Sequence, residues 1–176
     1  MRAIPRARRA ACAAVALALA AICFRAQLAD ALVTRGDDSL RNGDGAAAMR
    51  AYGRALGIDP HSTVASDRLA FFLALRHDRT DAERAVTVAT AGLRAQAGAS
   101  LFADRAFAEM QLQRWPAAAG DFARAGALAR DARYDHLAGR MALRGGDRAA
   151  ARRYAERAVA ADPSFAPARA LLRTLE

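Results

Sequence analysis

Three histidines, His61, His77 and His136, are the side chains best suited to proton transfer or metal ligation near neutral pH. A metal site would need a second ligand at helical or loop spacing, such as a histidine four residues away or a cysteine pair. None of the three has one, and each falls in a different stretch of the chain. Asp135 and His136 are adjacent, so on a helix they point to different sides and form no dyad. Ser39, Ser62, Ser66, Ser100 and Ser164 lack the glycine-flanked context that presents a nucleophile on a strand–helix turn. The glycines stand as single helix stops and follow no phosphate-binding pattern. These residues point away from an enzyme, and the reading is no catalytic group, no metal, no cofactor and no small-molecule substrate. What the chain does offer is recognition chemistry, in a few large apolar side chains and many arginines.

The 176 residues fit one domain with a core. Hydrophobic residues make up 54 % but aromatics only 6 %, so much of the apolar fraction is alanine, which favours helices that approach closely. All 27 basic residues are arginine, and the net charge is +9. Such a charge invites a nucleic-acid reading, but its distribution argues against one. Arg2, Arg6, Arg8, Arg9 and Arg25 all precede the first acid, Asp30, which leaves 22 arginines against 18 acids in the rest. There the signs alternate, as in Asp67-Arg68 and Asp104-Arg105, the pattern of a solvated helical surface. No nucleic-acid partner is expected.

Residues 2–9 carry four arginines and residues 10–24 carry no charge. A basic start before a 15-residue apolar run is an export pattern, although a span normally needs about 20 residues. Arginines at both ends can snorkel and extend the usable length. Ala18-Leu19-Ala20 offers a cleavage site, but no glycine or proline interrupts residues 6–35, so the run can continue as one helix. We read residues 1–26 as an uncleaved signal anchor, single-pass in the inner membrane, with the body in the periplasm as the positive-inside rule requires. The alternative is a secreted or periplasmic chain after cleavage. Cys12 and Cys23 both lie in this run, about 16 Å apart at about 1.5 Å per helical residue, too far for a disulfide.

The rest of the chain repeats itself. Gly36, Ala48, Tyr52, Ala55 and Pro60 form one copy of a pattern. Ala70, Ala85, Ala89 and Gly92 form a second; Ala106, Ala118, Phe122 and Ala125 a third; Gly139, Ala151, Ala155, Ala158 and Pro163 a fourth. The leading small residues are 34, 36 and 33 residues apart. A period near 34, with small residues at fixed places in a helix–turn–helix unit, means a helical solenoid. Turn clusters Asn42-Gly43-Asp44-Gly45 and Gly146-Asp147 separate the two helices of the first and fourth units. In the second unit the step from Ala70 to Ala85 is three residues longer, and the extra residues are assigned to the turn at residues 77–81. On these residues the chain resembles the tetratricopeptide-repeat family. The expected fold is all-α, a solenoid of about four helical hairpins at 27–60, 61–98, 99–130 and 131–163, with a capping helix in 164–176. Together these form the repeat domain, 27–176.

The resemblance implies that the first helix of each unit lines a concave groove. Its members here would be Asp30, Val33, Asp37, Leu40 and Arg41; Val64, Asp67, Phe71, Ala74 and Leu75; Ala103, Phe107, Met110 and Gln111; and Arg133, His136, Arg140, Leu143 and Arg144. The partner-binding candidates are the apolar Phe71, Leu75, Phe107 and Met110 and the basic Arg133, Arg140 and Arg144. That combination suits an amphipathic or acidic-ended peptide. The family's clamp for a terminal carboxylate is not expected, because the corresponding places hold Val33, Asp37, Arg68, Ser100 and Asp104. The function implied is a protein–protein interaction scaffold in a bacterial envelope assembly, such as a secretion, pilus or polysaccharide system. The alternative is an accessory repeat subunit that stabilises or regulates a partner enzyme.

Overall fold

The computed structural model describes residues 6–175, and these contain nine α-helices and no strand. The basic start at Arg2 and the terminal Glu176 lie outside them. The helices divide into two compact units, one up to Ala65 and one from Ser66 onward.

In the first unit, α1 (Arg6–Arg41) runs unbroken for 36 residues and α2 (Gly45–Ile58) folds back along it. The turn between them uses Gly43 at φ +81°, where a side chain would be strained, and Asp44, which caps α2 by accepting from the Ala47 amide. The two halves of α1 differ sharply. From Ala29 onward one stripe is buried, and Gly36 lies so close to α2 that a Cβ there would stand 2.4 Å from the Tyr52 ring. Tyr52 is fully buried and donates its hydroxyl to Asp37 at 2.7 Å. From Ala11 to Arg25 every side chain is exposed, including Val15, Leu17, Leu19, Ile22 and Phe24. This half of α1 is therefore not a core helix of the repeats, and Cys12 and Cys23 on it are free and exposed.

The second unit contains most of α3 (Thr63–Leu75), then α4 (Arg79–Ala95), α5 (Ala99–Gln111), α6 (Trp115–Ala129), α7 (Ala132–Arg144), α8 (Arg148–Ala161) and α9 (Ala166–Arg173). The repeated small residues all meet at helix–helix contacts. Ala70, Ala106, Ala85, Ala118 and Ala151 are fully buried, as are Ala89, Phe122 and Ala155 one turn further along the second helices. Gly139 packs against α8 and α9, where an added Cβ would meet the Ala151 carbonyl at 3.2 Å and a Leu171 methyl at 2.9 Å. The α7–α8 turn repeats the α1–α2 turn, with Gly146 at φ +83° and Asp147 accepting from the Ala150 amide. Pro116 sits in the first turn of α6, where its missing N–H costs no hydrogen bond. The cap α9 closes the last hairpin by burying Ala168 and Leu171, with Leu175 beyond its end.

One expectation is corrected. The three extra residues of the second unit do not lengthen its turn. The turn before α4 is Arg76-His77-Asp78, as short as that before α2, and α4 has 17 residues against 14 in α2. Asp78 caps α4 through the Asp81 amide, so residues 79–81 add a turn of helix at its start. The sequence cue misled because His77-Asp78-Arg79-Thr80-Asp81 is polar enough to read as loop, whereas an aspartate at the N-cap starts a helix inside it.

Because Ala151 is fully buried against a neighbouring helix, a larger side chain there must push two helices apart. Ala151→Leu is expected to destabilise the chain by about 1–3 kcal/mol, read as a lowered thermal midpoint. An unchanged midpoint would show that α7 and α8 pack in a different register.

Candidate functional site

Four candidates of the second unit lie on the first helices of its hairpins and differ in how far solvent reaches them. Phe71 is 46 % exposed, Leu75 54 % and Phe107 37 %. They are open because α3 and α5 bury their opposite faces: Leu69, Ala70 and Leu73 on α3, and Leu101, Ala106 and Ala108 on α5. Met110 is partly buried and packs onto the cluster built around Phe122 and Met141. Ala74 and Ala103 are buried, as is Val33 in the first unit, so these three are packing residues. Phe107 stands edge-on to Phe122, ring centroids 5.0 Å apart, which fixes its ring while leaving its outer side open. Gln111 on α5 donates its side-chain amide to the Ala74 carbonyl of α3, tying the two inner helices together.

The basic end is built on α7. His136, Arg140, Leu143 and Arg144 share one face of that helix and, with Pro167, Ala170, Leu171 and Thr174, line a cavity of about 420 Å³. Arg144 lies over the ring of Trp115 at 5.3 Å. Burial and the neighbouring Arg140 hold the His136 imidazole below its ordinary range, so it is neutral near pH 7, and its Nδ1 is buried with no hydrogen-bond partner among the described residues. Arg133 is not part of this cavity. It stands at the start of α7 and is held by Asp131, with a shortest separation of 2.6 Å. The sequence placed three arginines in one basic patch, but the helix sets Arg133 seven residues from Arg140, and the Asp131 cap claims it first.

Acids form the other part of the inner face. Asp104 of α5 is 7 % exposed, and its carboxyl is pushed up to about 8 by burial and by the charge of Asp67 on α3. Asp67 has one carboxylate oxygen buried without a partner. A third acid, Glu109, faces α6; burial and Asp121 push it up to about 7, against the pull of Arg105, Arg114 and Arg124. Elsewhere buried acids are paired. Arg105 grips Asp121 through two bonds of 2.6 and 2.9 Å, and Arg157 holds Asp135 at 2.8 Å. These pairs lock α5 to α6 and α7 to α8, so Asp135 serves packing and His136, pointing away from it, does not share its role.

The raised acids give a pH prediction. Each has a folded-state value above its unfolded one, 3.8 for Asp104 and 4.5 for Glu109, so the folded chain holds these protons more tightly. Their contribution is complete below about pH 4 and is lost as pH rises through about 7 to 8. The thermal midpoint is expected to be higher at pH 5.5 than at about pH 8.5. Asp104→Asn together with Glu109→Gln should flatten that dependence; an unaltered slope would assign it to other groups.

No three histidines, cysteines or acids gather into a metal-binding group among the described residues. No protein-family model matches this sequence, and no curated protein matches it. Solved structures do match. A MamA protein is 20 % identical over 85 % of this chain and 81 % of its own, with a TM-score of 0.72. PilF of Pseudomonas aeruginosa is 19 % identical over 86 % of this chain and 68 % of its own, at 0.65. A thermophilic tetratricopeptide-repeat protein of Thermus thermophilus is 17 % identical over 84 % of this chain and 80 % of its own, at 0.61. At these identities the likeness establishes the fold. The chain has the fold of a tetratricopeptide-type helical solenoid.

Proposed function

We propose that this chain is a non-catalytic scaffold, anchored in the inner membrane by residues 10–24, with its repeats facing outside the cytoplasm. There it holds a segment of a protein partner on the face formed by α3, α5 and α7, as part of an envelope assembly of the secretion, pilus or polysaccharide kind. The observation that carries this reading is the exposure of Phe71, Leu75 and Phe107 on inner helices that bury Leu69, Ala70, Leu73, Leu101, Ala106 and Ala108. Large apolar side chains left in solvent on a rigid frame contribute little to folding and much to binding. The apolar half of α1 supports the anchor, since α1 is by length and composition apolar enough to cross a membrane and its side chains from Ala11 to Arg25 are exposed.

A photo-crosslinking amino acid in place of Phe107 tests the surface in native membranes. The expected result is a discrete crosslinked partner that is lost in a Phe71→Ala background and kept when Arg152 and Arg153, exposed on α8, become alanine. Equal crosslinking from Arg152 and Phe107 would remove the inner face from the proposal.

A further inference from the structure

Asp67 and Phe71 stand one turn apart on α3, and Asp104 and Phe107 one turn apart on α5, so each carboxyl shares a helix face with an exposed ring. We propose that Asp67 and Asp104 form a seat for one cationic side chain of the partner, a guanidinium or ammonium group flanked by Phe71 and Phe107. The inference deepens the scaffold reading and rests on it, because it names what the partner must present to this face.

Asp104 is 7 % exposed and Asp67 has one carboxylate oxygen buried without a partner, on helices tied side by side by Gln111 and the Ala74 carbonyl, and such carboxyls are costly unless something compensates them. Among the described residues nothing does so for Asp104. Asp104 accepts no hydrogen bond among the described residues, and only Asp67 among charged groups bears on it. The adjacent Arg105 is committed to Asp121 and Thr90. Two other buried acids of the second unit, Asp121 and Asp135, show what compensation looks like in this fold, each holding an arginine within 3 Å, whereas Glu109 does not. In the free chain Asp104 meets the cost by keeping its proton near neutral pH. A guanidinium placed between the carboxyls would replace that proton, gain charge-assisted hydrogen bonds and lie against the negative faces of the two rings. No covalent bond changes; the Asp104 proton leaves to buffer as the cation enters.

The probe is acetyl-Ala-Arg-Ala-amide, whose only charge is the guanidinium, set against its neutral citrulline counterpart, both titrated into the full chain in detergent micelles by NMR. The expected result is saturable shifts on α3 and α5 with the arginine peptide and binding weaker by about tenfold or more with citrulline. Calorimetry in phosphate and in Tris should differ by about one proton released per site, and that difference should vanish in Asp104→Asn. Asp67→Asn, at a partly exposed position, gives a second variant and should also weaken the arginine peptide about tenfold. Equal binding of arginine and citrulline, or undiminished binding by both asparagine variants, would overturn the seat. So would calcium chloride displacing the arginine peptide, since the pair would then be a metal site. Loss of the seat with the Phe107 crosslink intact would leave the scaffold reading standing; loss of the crosslink with the seat intact would do the reverse.

Discussion

Phe122→Ala is expected to destabilise the second unit by about 3–5 kcal/mol, among the largest effects of any single change in this chain. Phe122 is fully buried, in a core cluster that also contains Ala106, Met141, Ala151 and Leu171 from four other helices. The core is built mostly of alanine, which lets helices approach closely but contributes little apolar area per residue. The few large side chains, Phe122, Leu73 and Met141 in this unit, therefore supply a disproportionate share of the burial. Close helices also cannot collapse into the void, so the cavity cost adds to the lost transfer energy. Phe71→Ala, on an exposed ring, is expected to change stability by no more than about 0.5–1 kcal/mol. Urea denaturation of the two variants measures the contrast. Comparable losses would make Phe71 a core residue and remove it from the binding face.

That contrast marks where sequence reasoning succeeds and where it stops. Small residues at a 34-residue period can only be explained by repeated close contacts, and Ala70, Ala106, Ala118, Ala151 and Gly139 are all at such contacts. Turns were equally legible where glycine with positive φ and a capping aspartate coincide, as at Gly43-Asp44 and Gly146-Asp147. Helical periodicity assigns a residue to a face, but it does not say how far a neighbouring helix overlaps the edge of that face. Hence Met110, Ala74 and Ala103 share the inner helices with Phe71 and Phe107 yet are partly or wholly covered. The basic cavity escaped notice for a similar reason. Half of it comes from α9, whose Pro167, Ala170 and Leu171 carry no signature beyond an amphipathic cap. Of the Asp67–Asp104 pair, Asp104 was visible only as an acid in the wrong place for a carboxylate clamp and Asp67 only as a residue of the inner face; their proximity depends on how α3 and α5 sit side by side.

Leu17→Arg combined with Ile22→Arg is expected to shift the chain out of the membrane fraction. Both side chains are largely exposed on the apolar half of α1. An arginine near the centre of a spanning helix costs about 2.5–3.5 kcal/mol on insertion scales. Eight of the fifteen residues at 10–24 are alanine, so the run has little hydrophobic surplus to absorb two such charges. The parent should resist carbonate extraction and keep its full mass, because α1 continues as an unbroken helix through residues 18–24 and offers signal peptidase no extended segment. The double variant should appear in the soluble or aggregated fraction with its repeats still helical, since the buried stripe of α1 begins only at Ala29. Release of the parent by carbonate would end the anchor reading, and a shortened parent would establish a cleaved export signal. Neither outcome would bear on the exposure of Phe71, Leu75 and Phe107, which belong to the second unit.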